Sequence, residues 1–433
     1  MSAPSFREAF RAFAKIGLLS FGGPAGQIAM MHRVLVDEKK WVPEEKFLRA
    51  LNFCMLLPGP EAHQLAVYIG WLLHGVRGGL AAGLLFLGPG ALVVLALSAL
   101  YAGYAAAPAV EAALFGLKAA VLAIVIEALV RIAKRALTHE SRLVLAGGAF
   151  IGIYFLGVSF PLIVIAAGVI GALGGYWNWP GFRPKSVEAP SAANAVRPRG
   201  AFVTTLALGL LVWLGPLALV AALAPVVFAE LALLFTKLAV VTFGGAYAVL
   251  AYLAQEAVAN YGWLAPKEMI DGLGLAETTP GPLILVVDFV GYLAGARESA
   301  FSPILGGLLG TFVAVWATFV PSFLWIFLGA PYIERIKGGG IWDSALAGVT
   351  AAVTGVILNL AVWFGLHVLF GEVKTVEAGV LGFSWPVAET IEWKAFGLFA
   401  LSLVALFRFH AGIVPIILGA ALLGFLVTLG FPA

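Results

Sequence analysis

The sequence predicts an all-α integral membrane protein with two inverted-topology repeats, broken helices and roughly 10–13 membrane segments. Three observations predict this fold class. Hydrophobic residues make up 62% of the 433 residues and charged residues only 11%, whereas soluble domains carry about 25% charged residues. Apolar stretches of membrane-spanning length recur along the whole chain, and several short motifs recur at a constant spacing. A soluble fold could not bury this much apolar surface, so lipid is the expected solvent.

Apolar stretches of two kinds make up the predicted membrane segments, because a helix needs about 20 apolar residues to cross a bilayer. The uninterrupted stretches are 80–104, 109–130, 143–158, 160–177, 202–223, 302–330, 344–370, 394–408 and 411–431. Four others, 6–36, 45–75, 227–257 and 266–296, are broken by Gly22-Gly23-Pro24, Pro58-Gly59-Pro60, Gly244-Gly245 and Pro280-Gly281-Pro282. Lipid cannot bond the backbone groups that such breaks release, so the breaks are predicted inside the protein or beside a water-filled cavity.

An internal repeat relates the two halves of the chain. Ser20-Phe21-Gly22-Gly23 recurs as Thr242-Phe243-Gly244-Gly245, and Pro58-Gly59-Pro60 recurs as Pro280-Gly281-Pro282, in both cases 222 residues later. Beyond these motifs the spacing becomes 232, as in the pairs Pro89 with Pro321 and Glu111 with Asp343. A constant register across separate motifs is typical of a duplicated structural unit.

The repeat divides the chain into four parts. Residues 1–177 are the first membrane repeat, 178–201 a cytoplasmic linker, 202–223 an extra transmembrane helix and 224–433 the second membrane repeat. The linker is predicted from its four prolines and four basic residues. The helix at 202–223 has no counterpart in the first half, and each half otherwise crosses an even number of times. One extra crossing therefore inverts the second repeat.

Lys and Arg predict the sidedness, because basic loops stay in the cytoplasm. Basic residues cluster at 131–142, in the linker and at 335–337, whereas 371–392 holds four Glu and one Lys. These loops predict a multi-pass protein of the inner (plasma) membrane with a cytoplasmic N-terminus and an external C-terminus. The basic residues near the start make a poor secretory signal, so the N-terminus is expected in the mature protein.

The helix breaks predict a binding site for a compact anion. A helix that restarts inside the membrane exposes unpaired N–H groups and the positive end of its dipole, and such ends bind anions. Lys15 and Lys237 lie seven residues before their breaks, close to two helical turns. The predicted substrate-binding residues are Lys15, Ser20, Gly22, Gly23, Pro24, Gln27, Gly59, Pro60, Gln64, Lys237, Thr242, Gly244, Gly245, Thr278, Thr279 and Gly281.

Alternatives remain open for each part of this set. The breaks could be packing kinks, the hydroxyls and amides could only join helices, and the lysines could extend to the membrane interface. Four ionisable residues in or beside the broken segments, Glu61, His63, Glu277 and Asp288, are candidates for proton coupling. Glu61 could instead stabilise the start of its helix.

Several other functions are excluded by what the sequence lacks. A net charge of +3 with dispersed basic residues argues against nucleic-acid binding. Cys54 is the single cysteine, so an intrachain disulfide and a cysteine-based metal site are both excluded. Nucleotide, metal and nucleophile motifs are absent from the sequence, so neither an enzyme nor a cofactor or metal is predicted.

The chain resembles the chromate transporter family, also called the chromate ion transporter family, in its long two-domain form. The resemblance rests on Phe21-Gly22-Gly23-Pro24, on Trp41, on the run 57–71 (LPGPEAHQLAVYIGW), on Phe243-Gly244-Gly245 and on Thr279-Pro280-Gly281-Pro282. It covers essentially the whole chain, and the motifs are specific as a set. His63 is a departure, since a polar amide is expected there.

The resemblance implies a secondary transporter of tetrahedral oxyanions that exports chromate across the inner membrane and lowers its cytoplasmic concentration. Sulfate, an isosteric dianion, is implied as competitor or exchange partner. Two other readings stay open: uptake of sulfate or another oxyanion, and a membrane enzyme acting on lipid phosphates. Direction, the coupling ion and the choice between monomer and homodimer are left open by the sequence.

Overall fold

The computed structural model describes residues 4–21, 23–183, 199–243, 246–331, 340–379 and 381–430. These residues are almost entirely α-helical, as predicted. Five of the described helices are long and apolar enough to cross a membrane. They are α4 (Glu61–Tyr104), α5 (Pro108–Ala136), α8 (Arg199–Leu223), α13 (Pro303–Gly329) and α14 (Ile341–Leu369). The predicted linker falls mostly outside the described residues.

The chain forms two compact units, and each unit draws on both halves of the sequence. The first unit contains residues 1–103, 188–246 and 275–337. Its shorter helices are α1 (Phe6–Leu19), α2 (Gly23–His32), α3 (Glu44–Leu56), α9 (Val226–Val241) and α12 (Val286–Glu298), which join α4, α8 and α13. All four predicted helix breaks lie within its residue ranges.

The second unit contains residues 104–187, 247–274 and 338–433. Besides α5 and α14 it holds α6 (Glu140–Tyr154), α7 (Phe160–Tyr176), most of α10 (Ala246–Ala254) and of α11 (Pro266–Thr278), α15 (Trp393–Phe407) and α16 (Ile413–Gly430). Helix α14 packs against α5, α6 and α7, and α16 packs against α5.

Helices recur in the same order, and several have equal lengths, in the two halves. Helices α5 and α14 both have 29 residues, α3 and α11 both have 13, and α6 and α15 both have 15. Two six-residue π-helical segments, Arg33–Glu38 and Gln255–Asn260, also lie 222 residues apart. These lengths agree with the spacing of the sequence motifs, while the opposite orientation of the halves stays a prediction.

A β-hairpin follows α14, where the sequence predicted only an external loop. Strands β1 (Val373–Ala378) and β2 (Leu381–Pro386) pair antiparallel. Val, Thr, Phe and Trp in these strands favour extended backbone, and the turn contains Gly379 with a φ of 65°. The hairpin lies against the turn after α6, because the Gly382 N–H donates to the Phe155 carbonyl at 2.9 Å.

Close glycine contacts position α12 against α13 in the first unit. A Cβ placed on Gly295 would lie 2.2 Å from the Gly306 carbonyl oxygen, and a Cβ on Gly306 would lie 2.2 Å from the Gly295 carbonyl oxygen. Only glycine permits such an approach of two helix backbones, a common device in membranes. The pair fixes α13 beside the helix that follows the Pro280-Gly281-Pro282 break.

Candidate functional site at the helix breaks

Glycines with positive φ form the described part of the breaks. Gly23, Gly59 and Gly281 have φ values of 70°, 119° and 97°, a region that other residues adopt only with strain. Gly22, Gly244 and Gly245 lie outside the described residues. Pro24 is the second residue of α2, and Pro60 directly precedes α4, as expected for proline at a helix start.

The two proline breaks are joined to the opposite half by matching hydrogen bonds. The Gly59 N–H donates to the Thr242 carbonyl at 2.9 Å, and the Gly281 N–H donates to the Ser20 carbonyl at 2.8 Å. Gly281 follows Gly59, and Thr242 follows Ser20, by the same 222 residues. Two N–H groups predicted as anion donors are therefore occupied by carbonyls. The N–H groups in the first turn of α4 lack intrahelical partners by helix geometry.

Polar side chains surround the first proline break. The Gln64 Nε2 atom donates to the Pro58 carbonyl at 2.7 Å. A Cβ built on Gly59 would lie 2.8 Å from Gln64 Nε2 and 3.2 Å from the Oγ of Ser322, a residue of α13. Gln64 and Ser322 are both buried, and Gln64 Oε1 and Ser322 Oγ have no hydrogen-bond partner among the described residues. Ser322 is not among the residues predicted from the sequence; its position after Pro321, the partner of Pro89, was the available signal.

The second proline break meets backbone atoms, apolar atoms and one amide side chain, that of Gln27. A Cβ built on Gly281 would meet Leu285 Cδ1 at 3.1 Å and the Gly90 Cα at 3.4 Å. In this region Gln27 Nε2 donates to the Gly281 carbonyl, and Gln27 Oε1 has no partner among the described residues. The position equivalent to Gln64 is Val286, which is buried. The two breaks share a backbone pattern and differ in their side chains.

The predicted hydroxyl donors bond to their own chain segments. Ser20 Oγ donates to the Ile16 carbonyl at 2.6 Å, and Thr242 Oγ1 donates to the Leu238 carbonyl. Thr278 and Thr279 donate likewise, to the carbonyls three residues earlier, at 2.6 and 3.0 Å. Such bonds are the usual way in which a hydroxyl is satisfied inside a membrane helix. Their role in anion binding stays a prediction.

The two lysines have exposed side chains. The Lys15 Nζ atom lies 4.0 Å from Glu38 Oε2, and its side chain is 57% exposed. Lys237 is exposed as well, and it forms no ion pair within the described part of the chain. An exposed ion pair contributes little to stability, typically about 0–1 kcal/mol. The proposed contact of either lysine with an anion stays a prediction.

The four ionisable candidates have different surroundings in the first unit. Glu61 is the first residue of α4 and is half-buried, whereas Glu277 is buried near the end of α11. His63 is buried, and its ring meets the rings of Phe319 and Phe323 edge-on at 5.3 and 5.1 Å. Both of its ring nitrogens lack a hydrogen-bond partner among the described residues.

Asp288 in α12 is a fully buried carboxyl group. Thr311 Oγ1 donates to Asp288 Oδ1 at 2.8 Å, and Oδ2 has no partner among the described residues. No described cation pairs with it. Its position in the first half corresponds to Ala66, so this carboxyl group is specific to the second half.

A chromate transporter family model matches residues 7–172 and again 229–425. The chain belongs to the chromate transporter family. The same family model therefore matches both halves, with starting points 222 residues apart, as the sequence motifs are.

Curated relatives of this family member carry transporter names. The chromate transport protein of Pseudomonas aeruginosa is 31% identical over 432 residues, covering 98% of this chain and 92% of the relative. The chromate transport protein of Cupriavidus metallidurans is 28% identical over 367 residues, covering 83% of each chain. An uncharacterized transporter of Methanocaldococcus jannaschii is 25% identical over 369 residues, covering 84% of this chain and 86% of the relative. No solved structure matches the chain.

Membership in the chromate transporter family supports a role in chromate transport for a protein that resides in a lipid bilayer. The predicted family and helical membrane class are confirmed, and the transporter names of the relatives fit a protein that is not an enzyme.

The second unit of this transporter also carries buried charge. Lys118 Nζ in α5 lies 3.3 Å from Asp271 Oδ1 in α11, and their side chains are 10% and 1% exposed.

Proposed function

We propose that this chromate transporter family member exports chromate across the inner membrane through an oxyanion site at its helix breaks. The observation that carries the proposal is the buried helix restart at Pro58-Gly59-Pro60, with the polar side chains that surround it. Buried helix N-termini favour anions because their N–H groups and dipole point at the ligand. Sulfate has the same tetrahedral shape and charge, so it is proposed as competitor or exchange partner.

The predicted binding residues at the other breaks remain part of this proposal. Lys15 and Lys237 would add positive charge at matching positions of the two halves. Since both are exposed in the structure, their attraction for an anion would be weakened by water and salt. The amide of Gln27 and the N–H groups at the start of α2 would be the further donors, at the breaks other than Pro58-Gly59-Pro60.

Proton coupling is proposed for Asp288, in preference to Glu61, His63 and Glu277. Its burial and the absence of a described cation support this choice, since a buried carboxyl group needs a partner or a proton. A proton taken up here during the transport cycle could balance part of the charge of the oxyanion. Asp288→Asn would then remove the dependence of transport on a proton gradient.

The inverted arrangement of the halves is proposed from sidedness. In the second unit, Arg142 Nε donates to the Gly181 carbonyl at 2.7 Å and Ser344 Oγ donates to the Phe182 carbonyl at 2.6 Å, which joins three segments beside the predicted cytoplasmic loops. The acidic hairpin joins a different turn, the one after α6. The segments beside the basic loops therefore contact one another, and the acidic hairpin contacts a different turn. This separation supports placing the basic loops in the cytoplasm and the acidic hairpin outside.

Cysteine labelling tests that sidedness. In a Cys54→Ala background, Thr138→Cys lies in the predicted cytoplasmic turn and Glu377→Cys in the predicted external hairpin; both native side chains are exposed. A membrane-impermeant reagent added to intact cells is expected to label only Glu377→Cys. Labelling of both positions from the same side would contradict the inverted arrangement.

Transport in oriented vesicles tests the function itself. Inside-out vesicles are expected to accumulate labelled chromate, unlabelled sulfate to compete, and a proton gradient to change the rate; protein-free vesicles are the control. Faster sulfate movement toward the cytoplasm than chromate movement out would favour oxyanion uptake instead. Competition by Zn²⁺ without competition by sulfate would contradict an oxyanion site altogether.

A further inference from the structure

Several buried hydroxyls in these helices donate to the carbonyl four residues earlier, and Ser322 does not. Ser98 donates to the Val94 carbonyl at 2.7 Å, and Thr318 donates to the Ala314 carbonyl at 2.8 Å. Both bonds run to the carbonyl four residues earlier, as is usual for hydroxyls in membrane helices. Ser322 is 1% exposed, yet its Oγ makes no hydrogen bond with any described residue. An unsatisfied buried hydroxyl is unfavourable, so the orientation of Ser322 requires another explanation.

Repair of the helix around Pro321 does not provide that explanation. Proline lacks an N–H group, so the carbonyl of Ala317 loses its intrahelical partner. Trp213 Nε1 from α8 donates to that carbonyl at 3.0 Å. The proline gap is therefore already satisfied, and the hydroxyl of Ser322 remains directed toward Gly59, near Gln64.

The equivalent position in the first half has no room for a side chain. Gly90 corresponds to Ser322 in the 232-residue spacing that pairs Pro89 with Pro321. A Cβ on Gly90 would lie 2.2 Å from the Pro280 carbonyl oxygen and 2.7 Å from Leu285 Cδ1. The backbone of α4 thus packs directly on the second proline break, where Leu285 fills the remaining space.

We propose that the transporter binds its oxyanion at the first proline break only, with Ser322 as a binding residue on α13. This inference rests on the proposed oxyanion function and narrows its site: Gln27 then holds the Gly281 carbonyl of the second break and is not an anion ligand. The donors are the Ser322 hydroxyl, the second N–H of the Gln64 amide and the N–H groups of the first turn of α4. Gln64 Nε2 carries two hydrogens and gives one to Pro58. Neutral donors of this kind, assembled at a helix start, fit a tetrahedral oxyanion.

Only the first of the two similar proline breaks then binds the anion. At the second break, Val286 and Gly90 replace Gln64 and Ser322, so no side chain at these two positions can donate a hydrogen bond. Each proline break is held by the opposite half, because the Thr242 carbonyl accepts from the Gly59 N–H and the Ser20 carbonyl accepts from the Gly281 N–H. One anion per chain is the expected stoichiometry.

Equilibrium binding of radiolabelled sulfate, with chromate as competitor, tests the assignment on purified full-length protein. Ser322→Ala is expected to weaken binding about tenfold or more, the effect of one hydrogen bond to a charged group. Its thermal stability should stay equal or rise, since the variant removes a hydroxyl without a described partner. Ser98→Ala is the matched control: its affinity should match the wild type, with slightly lower stability because a satisfied hydrogen bond is lost.

Four results distinguish failure of the single-site proposal from failure of the proposed oxyanion function. Wild-type affinity in folded Ser322→Ala, or two anions bound per chain, would overturn the single-site inference while leaving oxyanion transport intact. Rescue of affinity by Ser322→Thr would support the role of the hydroxyl. Absence of sulfate and chromate binding by the folded wild-type protein would overturn the proposed function itself.

Discussion

The two proline breaks have the same backbone and different surroundings. Gly59 and Gly281 both have positive φ, and each N–H bonds to a carbonyl of the other half. Each break has one glutamine on a backbone carbonyl, Gln64 at the first and Gln27 at the second, but the first also faces Ser322 whereas the second faces Leu285 and the Cα of Gly90. Repetition of a backbone motif therefore does not duplicate its chemistry. One copy of a recurring motif can keep polar donors while the other becomes a packing contact.

The largest expected effect of a single change is the loss of stability in Gly90→Ala. The new Cβ would lie 2.2 Å from the Pro280 carbonyl oxygen, and the backbone there cannot move aside easily. Overpacking typically destabilises by about 1–3 kcal/mol, and a backbone collision belongs at or above that range. Thermal unfolding of purified protein measures the change. Gly88→Ala is the control, because a Cβ there meets no atom within 4 Å; equal stability of the two variants would contradict the close packing.

Alanine at the two break glycines should affect different properties. Both variants force a side chain into positive φ, which destabilises by about 1–2 kcal/mol. Gly59→Ala also places its Cβ 2.8 Å from Gln64 Nε2 and 3.2 Å from Ser322 Oγ. Its oxyanion half-saturation concentration should rise at least about tenfold, whereas Gly281→Ala should lose mainly stability. Equal losses of affinity in two folded variants would show that the breaks contribute alike.

Asp288 is a second difference between the halves, since Ala66 occupies the equivalent position. In Asp288→Asn the amide oxygen can still accept the hydrogen bond from the Thr311 hydroxyl, but the amide cannot gain or lose a proton as a carboxyl group does. We expect proton-driven chromate flux to fall about tenfold, while chromate–sulfate exchange without a gradient continues. Glu377→Gln, an exposed acid in the hairpin, should leave both rates unchanged. Wild-type gradient dependence in Asp288→Asn would exclude it as the coupling group.

The smallest expected effect concerns the two lysines. Exposed charges are weakened by solvent, so each Lys→Gln change should raise the half-saturation concentration by about fivefold at most. Lys237→Gln should exceed Lys15→Gln, because Lys15 is already 4.0 Å from Glu38 whereas Asn260 occupies the equivalent of Glu38. The effects should shrink as salt is raised. Unchanged half-saturation in both variants would leave the helix breaks as the anion ligands.

Features that depend on local chemistry were predicted from the sequence. The helical membrane class follows from composition, and the break at Pro58-Gly59-Pro60 follows from the backbone limits of glycine and proline. The family resemblance, also drawn from these motifs, was confirmed. The family model matches two ranges that start 222 residues apart, the spacing of the motifs, while the inverted repeat stays a prediction.

Features that depend on distant contacts were not predicted. Ser322 approaches Gly59 across more than 250 residues of sequence, and no local pattern distinguishes it from a packing serine. The bonds of Gly59 and Gly281 to opposite-half carbonyls depend on how the helices assemble. The hairpin at 373–386 was not predicted, because the acidic residues of 371–392 were interpreted only as signs of an external loop.

The position of bound chromate tests the single-site account most directly. Crystals of the protein grown with chromate, measured at the chromium absorption edge, would show the metal by its anomalous scattering. We predict one peak per chain within contact distance of the Ser322 hydroxyl, the Gln64 amide and the start of α4. A peak at the Pro280-Gly281-Pro282 break, or one peak at each break, would contradict the account.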